Sequence, residues 1–251
     1  MVTIRTLLKR GYNHDTNCED AFCVEKHHSY ILFAVFDGCS TGKKSHFASE
    51  LMAKLFRNVV NKLDYMMYIT ELHTSIIEEL HSQLRLFHIN YRVPIDELLS
   101  TIIFGIIDTR TNAGIITFMG DGVMVCNGEI LNVDQDNTPN YLAYHLNDSV
   151  ETSNDLYNFE KDHCKIEYIT NIKDISICTD GILSYQYSDK SFTDELITDA
   201  VITEYCKDKN LLQSEVMLGR KHNILNSKEF KHYDDIAIVR IIIDNEETEI
   251  K

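Results

Sequence analysis

The run YILFAVF (Tyr30–Phe36) contains no charged residue and predicts a central strand covered on both faces. It breaks at Asp37-Gly38, where a turn is expected; Phe22–Glu25 before it reads as its partner strand. The periodicity then changes. Phe47, Leu51, Leu55 and Val59 recur every four residues and predict a helix over Ser45–Leu63. Leu72, Ile76, Leu80, Leu84 and Phe87 predict a second over Ile69–Phe87, with Pro94 beyond its end. The two helices are expected to pair and cover one sheet face. Strand patterning resumes over Ser100–Ile107, Gly114–Met119, Val123–Cys126 and Glu129–Val133, joined by short polar links that predict hairpins in an antiparallel meander. Among these links, Asn127-Gly128 is a strong type I′ signal. Residues 134–167 read as a polar surface excursion. Asp174–Thr179 is a further buried strand ending at Asp180-Gly181. Thr193–Cys206 and Leu211–Leu225 read as helices, and Asp234-Asp235 opens a last strand, Ile236–Ile243, before a charged tail at 244–251. Helices early and late around antiparallel strands give an α+β class rather than an alternating βαβ order.

Composition narrows the function. Hydrophobic residues make up 44% of 251 positions, with only 2 prolines, so the chain is expected to be a single domain over 1–251 without a linker. A formal charge of −15 argues against nucleic acid and anionic membranes as partners, because both need a basic footprint. It also means that any phosphate chemistry here needs bound cations. The 7 cysteines are odd in number, include no CxxC pair and sit largely in apolar runs, which suits reduced thiols in a cytoplasmic protein. No apolar stretch reaches membrane-spanning length, and no signal-peptide core is present at the N-terminus. The sequon Asn147-Asp148-Ser149 carries no meaning in that compartment.

The candidate chemistry is carboxylate chemistry. Asp37 and Asp180 follow buried strands, Asp234-Asp235 opens one, Glu19-Asp20 precedes one, and Asp121 lies in the turn Gly120-Asp121-Gly122. An acidic residue at one strand end is usually a turn former. Five such motifs are another matter, because a layered fold can bring strand ends to one rim, where uncompensated carboxylates repel one another. Mg²⁺ or Mn²⁺ would resolve the repulsion with an oxygen shell, and Gly38 would let a backbone carbonyl approach such an ion. Zinc spacing, a P-loop, GxGxxG and GxSxG are all lacking.

The ordered series CEDAF, FAVFDG, FMGDG, ICTDG and HYDDIAIVRI resembles the metal-dependent serine/threonine protein phosphatases of the type 2C class over residues 10–243. The opening RGYNHDTNCEDAF is similar to a bacterial subgroup, with Gly11, His14, Cys18, Asp20 and Ala21 in place and Glu19 where glutamine is usual. The resemblance implies a four-layer α-β-β-α sandwich of two antiparallel sheets flanked by helices. It also implies two Mg²⁺ or Mn²⁺ ions. Asp37 would bridge them, the Gly38 carbonyl would bind one, and Asp180 and Asp234 the other. Asp20 with Glu19 would hold metal-associated waters, Asp121 with Asp180 a weaker third ion, and Asp235 would support. The implied reaction is hydrolysis of Ser/Thr phosphate on a phosphoprotein, with a cognate kinase as opposing partner.

There is one departure from the pattern. An arginine that grips phosphate in many relatives corresponds to Asp15 here, which leaves Arg10, His14, Lys43 or Lys44 as replacements; His14 is a candidate phosphate contact or general acid. The rival reading is therefore a catalytically silent regulator that keeps the fold and binds metal or phosphoprotein. Residues 185–233, between the last two acidic motifs, are a candidate flap over the site.

Overall fold

The computed structural model describes residues 1–40, 42–135, 139–146, 163–187 and 192–244. Two five-stranded antiparallel sheets pack face to face. The first is ordered β1-β12-β9-β6-β7, from β1 (Val2–Lys9), β12 (Ile236–Ile243), β9 (Asp174–Cys178), β6 (Gly122–Cys126) and β7 (Glu129–Val133). The second is ordered β2-β3-β4-β5-β8, from β2 (Asp20–His27), β3 (Tyr30–Gly38), β4 (Ser100–Asp108), β5 (Ala113–Met119) and β8 (Lys165–Ile169). Helices α1 (Ser45–Val60) and α2 (Ile69–Tyr91) cover the outer face of the second sheet, and α3 (Asp194–Ile202) and α4 (Met217–Ser227) that of the first. The result is the expected α+β sandwich in four layers.

Strand alternation builds the core and aims the acids. In β3, Leu32, Ala34 and Phe36 pack toward Phe56, Leu72 and Ile76 of α1 and α2. Ile31, Phe33 and Val35 face Ile175, Ile177, Val239 and Ile241 of the other sheet. Asp37 continues the second series, so its side chain enters the space between the sheets at their rim. On the far side, Ile236 and Ile238 of β12 meet Val201, Tyr205, Leu218 and Leu225.

Several expectations change. Asp37-Gly38 is not a turn: β3 runs through it, pairing Asp37 with Asp20 on one side and Thr101 on the other. The four-strand meander is two hairpins, because β5 and β6 lie in different sheets and Gly120-Asp121 carries the chain across. The Asn127-Gly128 turn is as expected, with φ of 51° and 92°. Helix α2 extends to Tyr91. Helix α4 begins only at Met217, since Leu211 takes a left-handed φ of 66° and breaks the pattern. After α3 the backbone widens into a π-turn over Thr203–Lys207. Beyond the sequence expectation are β1, β8 and a two-stranded ribbon of β10 (Tyr185–Tyr187) and β11 (Phe230–His232). The 185–233 stretch packs largely on the outer face of the first sheet, and its charged-tail neighbour at 245–251 lies outside the described residues, as does the sequon.

His73 gives the fold a pH dependence. Its buried ring lies between α2 and β5, with Nε2 2.6 Å from Thr117 Oγ1. Burial pulls its pKa down to about 4. The unfolded ring titrates near its ordinary value, so the unfolded state binds the extra proton first and stability falls as pH drops from about 6.5 to 4. The expected loss is up to about 3 kcal/mol. Urea unfolding of His73→Gln against the parent across that range should show a flatter pH profile in the variant; equal slopes would refute the assignment.

Candidate functional site

The two sheets deliver their acids to one rim. Asp20 opens β2 directly opposite Asp37 near the end of β3. Asp180 follows β9, and Asp234 and Asp235 precede β12, its antiparallel neighbour. Asp121 sits at the crossing between sheets. A cavity of about 450 Å³ opens there, lined by Glu19, Asp37, Gly38, Asp121, Asp180 and Asp234. His14, Asn13, Thr101 and Tyr141 complete much of its wall. Asp20 is the one proposed ligand that does not line it. It is buried behind Asp37, where it accepts a 2.6 Å bond from the Thr179 hydroxyl.

Cross-ties between distant segments hold the arrangement. Thr179 Oγ1 donates to Asp20 in the second sheet and accepts from Ala237 N (2.9 Å) in the first. Asp235 is buried and accepts from Gly11 N at 2.6 Å and from Glu19 N, and its Oδ2 lies 2.7 Å from His14 Nδ1. The first acidic motif is thereby fastened to the last. Ser184 Oγ accepts from the Tyr233 and Asp234 amides (3.2 and 3.0 Å) and donates to Gly181 O at 2.7 Å, joining the 180 and 234 segments. Asp121 Oδ1 accepts from Gln135 N at 2.7 Å. Sequence reasoning missed Thr179 and Ser184, as well as Asn13 and Tyr141. Thr179 lies within the motif ICTDG, but nothing local in the sequence marks a hydroxyl that bridges sheets.

Gly38 has a packing reason as well as a chemical one. A Cβ there would run into the Ser45 carbonyl at the start of α1. Gly38→Ala is therefore expected to cost about 2 kcal/mol or more, read as a lower thermal midpoint, because backbone rather than a pliable side chain would have to yield. An unchanged midpoint would show that α1 shifts freely.

The electrostatics are lopsided. Burial first, and then the charges of Asp20, Asp180 and Asp234, push the Asp37 carboxyl well above the ordinary range. Burial likewise lifts Asp20, against the bond from Thr179. Asp180 rises to about 6 through burial, with Asp234 and Asp121 adding repulsion. Burial opposes a charged His14 ring, but Asp235, Glu19 and Asp234 outweigh it and raise its pKa; its Nε2 lies 3.6 Å from Asp234 Oδ1 and 3.9 Å from Glu19 Oε2. Among the described residues, neither lysine nor arginine lines the cavity. Arg10 lines a neighbouring one, and Lys43 and Lys44 line neither. Cys18 also lies outside the cavity, its thiol pushed up by burial.

Hard oxygen donors that repel one another, with neither lysine nor arginine beside them among the described residues, fit a hard divalent cation. Among the described residues, no group of three or more His, Cys, Asp or Glu side chains stands close enough together to hold a metal ion. Mg²⁺ keeps several waters and takes one or two carboxylates per ion, so an open arrangement is compatible with it.

Known proteins share this architecture. A bacterial serine phosphatase variant superposes with a TM-score of 0.66 at 13% identity, covering 97% of this chain and 99% of that one. RsbX in complex with magnesium gives 0.56 at 15%, covering 97% and 96%. The phosphatase domain of the Bacillus subtilis cell fate determinant SpoIIE, with a regulatory fragment, gives 0.60 at 14%. This chain covers 97% of itself in that match and spans 63% of the SpoIIE chain. At such identities the likeness is one of fold. A search of curated proteins by sequence gave no match. The family model for protein phosphatase 2C, however, matches residues 10–213, most of the chain and four of its five acidic motifs' positions, Glu19-Asp20, Asp37, Asp121 and Asp180, and by that match the chain belongs to the protein phosphatase 2C family.

Proposed function

We propose that this chain is a metal-dependent phosphoprotein phosphatase acting on Ser/Thr phosphate. The observation that carries the reading is the convergence of Glu19, Asp37, Asp121, Asp180 and Asp234, from both sheets, on one cavity that neither lysine nor arginine lines among the described residues. Two Mg²⁺ or Mn²⁺ ions suit these donors, and the magnesium bound by the structurally similar RsbX supports that choice. Asp37 would be shared, with the Gly38 carbonyl on one side and Asp180 and Asp234 on the other; Asp121 with Asp180 would serve a weaker third ion. Such ions supply positive charge that acidifies water and neutralises phosphoryl oxygens.

The chain's own residues do the positioning. Asp20, behind Asp37, fixes that carboxylate through their opposed register. Glu19 holds water at the cavity wall. Asp235 orients His14 so that Nε2 faces the cavity, where it can contact the phosphate or hold a proton for the leaving hydroxyl. The substrate would be a phosphorylated protein, opposed by a kinase, with residues 1–251 acting as one phosphatase domain. Among the described residues no helix is long and apolar enough to cross a membrane.

The absence of lysine and arginine from the cavity wall supports one rival, a regulator that binds metal without turnover. Hydrolysis of an aryl phosphate and of a phosphothreonine peptide, with Mn²⁺ and with excess chelator, separates the two. We expect turnover that depends on Mn²⁺. Calorimetric Mn²⁺ binding without turnover of either compound would establish the rival instead.

A further inference from the structure

A second cavity, of about 350 Å³, adjoins the first: His14 is part of the wall of both. Arg10, Tyr12, His222, Asn226 and His232 also line it. Its wall holds one guanidinium, Arg10, and one carboxylate, Asp15, where its neighbour's holds five carboxylates. Arg10 is exposed and spends one N–H, from Nη1, on the Asp15 backbone carbonyl at 2.7 Å; among the described residues it forms no ion pair. Lys231 Nζ stands 5.8 Å from the centroid of the Tyr12 ring. Asp15 is the one acidic residue in this wall. Arg10 in the wall and Lys231 over the Tyr12 ring thus stand beside a five-carboxylate cavity, in a chain whose net charge is −15.

A cation patch of this kind does not hold metals. It suits an anion, and Arg10 has guanidinium N–H groups left to offer a carboxylate. Consecutive Cα atoms are about 3.8 Å apart, so a peptide whose phosphorylated residue enters the first cavity places its next side chains at the mouth of the second. We propose that this cavity is a substrate subsite for an acidic side chain next to the phosphorylated residue, so that the preferred substrates are phosphoproteins with Asp or Glu flanking the phosphate. The inference rests on the carboxylate cavity being the phosphate site. It runs against the global charge, which alone would favour basic flanks.

The test uses two labelled peptides carrying a non-hydrolysable phosphonate analogue of phosphothreonine, one flanked by Glu and the other by Lys. Binding to the full chain with Mn²⁺ is followed by fluorescence anisotropy. The Glu-flanked peptide should bind about tenfold more tightly, as expected for one charge-assisted hydrogen bond. Arg10→Glu should reverse that order, since the guanidinium is the group proposed to receive the flanking carboxylate. Equal affinities in the parent, a Glu preference that survives Arg10→Glu, or no binding of either peptide would each overturn the proposal. If the preference is present but neither protein hydrolyses aryl phosphate, the subsite stands and only the catalytic reading fails.

Discussion

Asp37→Asn should abolish phosphatase activity while making the metal-free protein more stable. Asp37 lies opposite Asp20 across the β2–β3 ladder, and burial together with three neighbouring carboxylates disfavours its charge. Without a cation the native state carries that repulsion, and an amide of the same shape removes it. The expected gain is about 2 kcal/mol, or roughly 4–8 °C in thermal midpoint for a chain of this length. Hydrolysis should fall by about three orders of magnitude, since the residue proposed to serve both ions no longer carries charge. Added Mn²⁺ should raise the midpoint of the parent by mass action and that of the variant much less. The opposite signs matter, because a variant that merely misfolds would lose activity and stability together. Activity retained by Asp37→Asn would refute the site assignment.

The second large effect is structural. Arg240 lies in the middle of β12 and is fully buried. Its Nε and Nη2 donate to the two oxygens of Asp174 at 3.0 and 2.8 Å, and Nη1 donates to the carbonyls of Tyr205 and Asp208 at 2.7 and 2.9 Å. One guanidinium therefore joins β12 to β9 and fastens the π-turn at 203–207 onto the sheet. Asp208 continues this network to the buried ammonium of Lys221, which also reaches Glu204 at 3.3 Å. Arg240→Ala would strand a buried carboxylate and two carbonyls, at an expected cost of about 3–5 kcal/mol. That is a large part of the stability of an ordinary domain. Asp174→Ala should cost a similar amount. The pair Arg240→Met with Asp174→Leu should recover most of it, because no unpaired charge remains. Urea unfolding of the set checks this; a double variant as unstable as the sum of the singles would show that the guanidinium's carbonyl bonds, not the ion pair, dominate.

How much of this could be read from the chain varies with the kind of interaction. Tyr30–Phe36 announces itself by an unbroken apolar run, Ile236–Ile243 by one interrupted only at Arg240, and α1 and α2 by their stripes. Edge strand β1 does not: VTIRTLLK is mostly half-buried and carries Arg5 and Lys9, so its pattern is diluted. The apolar residues before α4 suggest helix, but Leu211 is held left-handed and Leu212 O accepts a 2.7 Å bond from Arg5, a contact 207 positions away. In the site, Glu19, Asp37, Asp121, Asp180 and Asp234 were visible as strand-end acids, and all line the cavity. The burial of Asp20 follows from a hairpin register, and the roles of Thr179 and Ser184 from contacts between segments far apart in sequence. Charge patterning at Arg10 was visible only as a replacement candidate, because the cavity it faces is closed by β11 and α4.

Strand order has a consequence for synthesis. β12 lies between β1 and β9, yet it is the last of the sheet strands to emerge from the ribosome. Until it docks, β1 has no neighbour in its sheet, and Asp234 and Asp235 are not in place. A nascent chain that has already made Asp20, Asp37, Asp121 and Asp180 would still lack the segment that secures Gly11, His14 and Glu19. The proposed site would thus be assembled late, after the other strands of both sheets have been translated.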